Sequence, residues 1–164
     1  MREMLEQIRK AICIDLHFVA LSSALMIPDI AGASDSKDSI ATGEKYRTWY
    51  DKWIGSSCSF MNGEICYQMR CSLLHQGSLN LNKVKFKRVL FVHPAIKGLH
   101  MHCNILNDAL NLDIGRFCLD LIRGCENWLM EIENTLQFKT NYDKFMRVYP
   151  TVLPPYIVGV PVIS

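Results

Sequence analysis

Apolar residues recur at Leu5, Ile8, Ile12, Leu16, Val19 and Met26. Three-or-four spacing of this kind predicts one long amphipathic first helix, ended before Pro28 because proline lacks an N–H and crowds the preceding turn. Residues 28–41 are rich in Gly, Ser and Asp and read as a polar loop. A second helix is expected behind Thr42 as N-cap, with Glu44 in its first turn and Tyr46, Trp49, Tyr50 and Trp53 on one face. A third starts behind Asn62, carries Ile65, Met69 and Leu73 in a row, and stops at Gly77. From Lys83 the pattern alternates through Val84, Lys85, Phe86 and Lys87 and then runs apolar to Val92, which signals a strand. Residues 99–106 and a stretch before Asp113 are expected to pair with it, making a small antiparallel insertion over about 83–112. Behind Asp113, a stripe of Ile114, Phe117, Cys118, Leu121, Ile122, Cys125, Leu129, Ile132 and Leu136 predicts a fourth helix as the spine of the core. Within it Gly124 marks close approach to another helix. The proline-broken tail 150–164 reads as an extended strap packed on the domain or on a partner. The pattern therefore predicts a single, mainly α domain over 1–164, with four to five helices.

Composition narrows the function classes. The 164 residues carry 18 Lys+Arg against 16 Asp+Glu, a net charge of +2, so any nucleic-acid site has to be a local patch. Only 9 Gly and 6 Pro accompany 49% hydrophobic residues, which excludes disordered and low-complexity classes. The uncharged run Phe18–Pro28 is 11 residues, short of a bilayer span, and no membrane association is expected. Seven cysteines without a Cys-x-x-Cys pair point to thiols in a reducing cytoplasm rather than a disulfide framework. Cys118 and Cys125, seven apart, share a helix face and are expected to serve as small core residues.

Walker A, dinucleotide-binding, nucleophile-elbow and His-Glu-x-x-His patterns are all missing from the chain. The remaining candidate chemistry is Arg70-Cys-Ser-Leu-Leu-His75-Gln-Gly77 on the third helix. Arg70 offers a permanently charged fork for phosphate oxygens, and His75 a group that titrates near neutrality. Arg88 and His93 repeat the spacing, but on a strand an offset of five sends the side chains to opposite faces. On a regular helix that offset separates Arg70 and His75 by about 140°. A kink, a helix end or a second subunit is needed to bring them together.

The Arg70-x4-His75 pattern, between an aromatic-rich helix and a long Trp-containing one, resembles the Arg-x(4–6)-His motif of the HEPN superfamily (higher eukaryotes and prokaryotes nucleotide-binding). The likeness in element order covers residues 1 to about 137, with only the short motif specific. It implies a HEPN-like helical bundle, a homodimer that pools the Arg and His of two chains in one cleft, and metal-independent endoribonuclease activity of toxin or host-defence type. RNA would be the substrate and an antitoxin a partner, with no cofactor. Arg70 would bind phosphate and stabilise the transition state, and His75 would be the acid/base. Ser72, Gln76, Lys83, Lys85, Lys87 and Arg88 are the expected supporting or RNA-binding residues. Two departures stand out: Cys71 follows the Arg where active members often have a polar residue, and Gly77 stands where the antitoxin-modified subset has Tyr. The alternative within the family is a catalytically inactive nucleotide-binding, RNA-binding or dimerisation module. Outside it, His93, His100, His102 and Cys103 form a rival zinc set, and Trp49, Trp53 and the tail a rival interaction surface.

Overall fold

The computed structural model describes residues 1–93 and 101–164. Six helices lie among the described residues: α1 (Arg2–Cys13), α2 (His17–Ser34), α3 (Gly43–Trp53), α4 (Gly63–Gln76), α5 (Ile114–Ile132) and α6 (Leu136–Tyr142). The expected mainly α class holds. A small sheet of β1 (Arg88–Val92), β2 (Asn104–Leu106) and β3 (Ala109–Asp113) precedes α5.

Local capping chemistry sets several boundaries where the sequence places them. Thr42 Oγ1 accepts from Lys45 N, Asn62 Oδ1 from Ile65 N, and Asp113 Oδ1 from Arg116 N, each meeting one orphan donor of a first turn. Gly77 ends α4 at φ 63, a left-handed turn that glycine adopts without a Cβ penalty. Its N–H donates to Leu73 O at 2.9 Å.

At the start of the chain the structure departs from the predicted single helix. α1 and α2 are separate, and Asp15 between them adopts φ 58. Apolar periodicity is blind to such a break, because one left-handed residue redirects the axis without changing composition. Leu16 and Val19, assigned to the buried stripe, are consequently exposed. Pro28 does not end the helix either: α2 runs on to Ser34, and the first part of the expected loop is helical. Pro28 is fully buried, and the Tyr46 hydroxyl donates to Leu25 O at 3.1 Å, supplying a donor beside the turn that proline disrupts. α2 is long and apolar enough to cross a membrane by length and composition, but half of it is buried within the protein.

That burial makes α2 the centre of the bundle, in contact with α1, α3, α4, α5 and α6. Ala20, Ala24 and Ala31 are fully buried on it, and their small side chains let neighbouring helices approach. α5 buries Phe117, Leu121, Ile122, Trp128 and Leu129, at about 1.5–3 kcal/mol for each large side chain. This outweighs the cost of about 1 kcal/mol for each of Gly115 and Gly124. Gly124 meets Ile54 and the Trp53 carbonyl, confirming the expected close approach, here to the end of α3. Trp49 packs edge-on against Trp128 at 6.1 Å, so the aromatic stripe of α3 is core. α5 stops at Ile132, and Leu136, expected to extend its stripe, is exposed at the start of α6.

The insertion is mixed rather than antiparallel. β3 lies between β1 and β2, parallel to the first and antiparallel to the second. Only 88–92 of the predicted strand 83–92 is regular, and Lys83 sits at φ 56. In the tail, β4 (Val148–Tyr149) pairs with β7 (Val162–Ile163) around the inner pair β5 (Val152–Leu153) and β6 (Ile157–Val158). The strap therefore doubles back on itself. A disulfide joins Cys58 to Cys103, 45 residues apart, correcting the expectation of an all-thiol chain. Cys66, Cys118 and Cys125 are core thiols, each pushed up to about 12 chiefly by burial.

Two outcomes follow. Five thiols are expected to titrate in the unfolded, unreduced chain; in the native protein at pH 8, iodoacetamide is expected to reach Cys13 and Cys71 but not Cys66, Cys118 or Cys125. Gly63→Ala would put a Cβ 2.6 Å from Arg47 Cα, forcing α3 and α4 apart. The expected loss, read from urea unfolding, is about 1–3 kcal/mol.

Candidate active site

α4 presents Arg70 in its second half, partly buried, and His75 exposed in its last turn. The Arg70 Nη1 lies 3.1 Å from His75 Nε2 within one chain. Neither a kink nor a second subunit is needed. The guanidinium bridges the angular gap by its own length, and His75 meets it at the helix end. A guanidinium can only donate, so His75 Nε2 is the acceptor in this contact.

The residue that orients Arg70 is Asp29 on α2. Arg70 Nε donates to Asp29 Oδ2 at 2.6 Å, with the two side chains 24% and 14% exposed. Burial raises the Asp29 carboxyl above its ordinary range, and the charge and hydrogen bond of Arg70 oppose this. For Arg70, burial works against the charge, but Asp29 and Cys71 together more than offset it and the guanidinium holds its proton more tightly than usual. One face of the guanidinium is thus fixed by a carboxylate while Nη1 is turned toward His75. Beside them Cys71 is hydrogen-bonded with Tyr67, which together with burial raises the phenol.

Sequence reading missed Asp29, although a signal was there. Between Phe18 and Ser34 it is the single Asp, Glu, Lys or Arg, and a lone charge on an apolar helix needs a partner.

The supporting residues divide. Ser72 is buried, and its hydroxyl is 2.8 Å from that of Ser78, so it fastens the turn after α4 and has no access to a ligand. Gln76 is exposed next to His75. Lys83 and Lys85 do not form a strand ribbon. They line a cleft of about 470 Å³ with Asn62, Ile65 and Gln68, along α4 but away from the contacts of Arg70. Lys87 is paired with Asp108 at 2.8 Å, and Arg88 is exposed on β1.

The rival zinc set is taken apart. Cys103 is in the disulfide, His102 Nδ1 accepts from Asp113 N, and its Nε2 faces Asp120 at 3.8 Å. His93 instead lies beside Asp15 and His17, and His100 is outside the described residues.

Arg70→Gln is expected to leave Asp29 buried without its cation and to cost about 1–3 kcal/mol at pH 7. A carboxyl whose folded pKa is raised stabilises the fold most below its ordinary value, and this contribution is lost as pH rises through the folded value. Unfolding of Arg70→Gln should therefore show stability falling more steeply from mildly acidic to neutral pH than in the wild type, with Asp29→Asn in the same chain removing the extra slope. In comparison with known proteins, no family model, curated protein or solved structure matches this chain, so its functional reading rests on these side chains.

Proposed function

We propose that the chain is a metal-independent endoribonuclease with a HEPN-like bundle, acting as a homodimer in a cytoplasmic toxin or host-defence setting, with an antitoxin as partner. The observation that carries the reading is the Arg70–His75 contact at 3.1 Å, anchored from behind by Asp29. In this setting α2 serves as a core helix and not as a membrane span, and the Cys58–Cys103 disulfide ties the segment after α3 to the start of β2.

The chemistry suits RNA because RNA carries its own nucleophile. A phosphodiester oxygen takes the place of His75 on the Arg70 Nη edge, freeing Nε2 as a base. His75 removes the proton of the ribose 2′-hydroxyl, the 2′-oxygen bonds to phosphorus, and the bond from phosphorus to the 5′-oxygen breaks. The 5′-oxygen must gain a proton as it leaves. Each chain offers one such histidine beside an arginine, so the second transfer is assigned to the His75 of a second copy, which has to enter carrying a proton on Nε2 in place of its own Arg70 contact. Arg70 offsets the charge on the nonbridging oxygens, and Asp29 is a positioning residue that holds the guanidinium in place. The products are a 2′,3′-cyclic phosphate and a 5′-hydroxyl. Gln76, exposed next to His75, would contact RNA there, with Lys83, Lys85 and Arg88 as more distant backbone contacts.

A second reading, a non-catalytic HEPN-like binding or dimerisation module, is favoured by one observation: the Arg70–Asp29 pair is also a strut between α2 and α4. An RNA cleavage assay in EDTA separates the two. The enzyme reading expects cyclic-phosphate ends from the wild type and a rate loss of about 10²-fold or more for both Arg70→Ala and His75→Ala. Absence of cleavage by the folded protein across single-stranded and structured RNAs would leave the binding module.

A further inference from the structure

We propose that Asp15, His17 and His93 form a three-ligand site for a divalent cation of the zinc class, distinct from the Arg70–His75 site. The residues come from two parts of the chain. Asp15 is the left-handed residue of the α1–α2 joint, His17 opens α2, and His93 directly follows β1. One potential ligand atom from each lies within 4.8 Å of the other two. Asp15 Oδ1 is 3.5 Å from His17 Nε2 and 3.7 Å from His93 Nε2.

These separations are too long for good hydrogen bonds, yet close to the spacing that a metal imposes. Ligand atoms held about 2.0–2.1 Å from a tetrahedral zinc lie about 3.4 Å from each other. The two imidazoles meet edge to face, with centroids 4.4 Å apart. A second, independent observation concerns His17 itself. Both of its ring nitrogens are buried, and neither has a hydrogen-bond partner among the described residues. The side chain is 22% exposed, but its shielded nitrogens have no better partner than the long Nε2 approach to Asp15, and an ion is one of the groups that satisfies them. Asp15 is 73% exposed, so the site opens to solvent on the carboxylate side.

Two imidazoles and one carboxylate suit zinc, with water completing the coordination. The N-terminus of α2 adds partial positive charge, which disfavours a cation, and the carboxylate offsets it. A bound ion would fasten the α1–α2 joint to the end of β1. His17 and Asp29 are twelve residues apart on α2, a rise of about 18 Å, so the ion would take no part in chemistry at Arg70.

The test is calorimetric titration of ZnCl2 into the metal-stripped full-length chain, with circular dichroism to confirm folding. One equivalent is expected to bind, about tenfold or more weaker in His17→Gln, His93→Gln and Asp15→Asn, and unchanged in Cys13→Ser. Should His17→Gln fail to fold, Asp15→Asn alters an exposed carboxylate and decides the matter. No binding by the wild type, binding undiminished in the folded ligand variants, or binding lost only in Cys13→Ser would overturn the site. None of these outcomes bears on RNA cleavage measured in EDTA.

Discussion

The protein is organised around one charge that its central helix cannot leave unanswered. Asp29 sits on α2, which carries no other Asp, Glu, Lys or Arg and is packed against five other helices. Desolvating a lone carboxylate there costs far more than a surface ion pair returns, so its partner must reach it with good geometry. Arg70 does so at 2.6 Å, and the requirement fixes how α4 lies on α2. The same contact decides which way the guanidinium faces. With Nε committed to Asp29, Nη1 is presented to His75. A structural constraint of the bundle and the orientation of the candidate site are therefore one interaction.

This also accounts for how a motif with poor helical spacing can work. A separation of about 140° describes Cβ directions, not the reach of side chains. Arginine spans the difference, and a residue at the helix terminus has fewer backbone neighbours in the way. A lysine would not serve equally, because a single ammonium cannot hold a carboxylate on one face and offer a second, fixed donor on another.

What the sequence revealed and what it hid divide by range. Thr42, Asn62, Gly77 and Asp113 act on backbone groups three or four residues away, and each is legible. So are Cys118, Cys125 and Trp49 as core, because helical periodicity encodes a buried face. The break at Asp15 and the helix running through Pro28 are not. The Asp15 break is closed by local bonds, Asp15 N to Ile12 O and Leu16 N to Ala11 O, that apolar periodicity does not register, whereas at Pro28 the disrupted turn is met by a group distant in sequence, the Tyr46 hydroxyl at Leu25. Strand direction, the Cys58–Cys103 pairing and the Asp29–Arg70 contact are likewise properties of the packed chain. Lys83, Lys85 and Lys87 misled for a related reason: alternation alone was read as a strand, although β1 begins only at Arg88, where β3 provides a partner.

α2 ends up with a different polar duty at each end of its buried length. Near its C-terminal half Asp29 reaches α4, while at its first residue His17 meets Asp15 and His93. At its end, Asn141 of α6 donates its amide to Ser34 O, a carbonyl that the helix leaves open, and to Ser36 O in the turn beyond it. Between these points the helix is apolar and tightly packed, with Ala20, Ala24 and Ala31 fully buried and Gly32 close to Lys45 of α3. Such a helix has little freedom to rotate or slide, since moving any one polar contact would displace the others and open voids along the core. A fixed axis of this kind gives Arg70 a stable reference, and that rigidity is what a site relying on one oriented guanidinium requires.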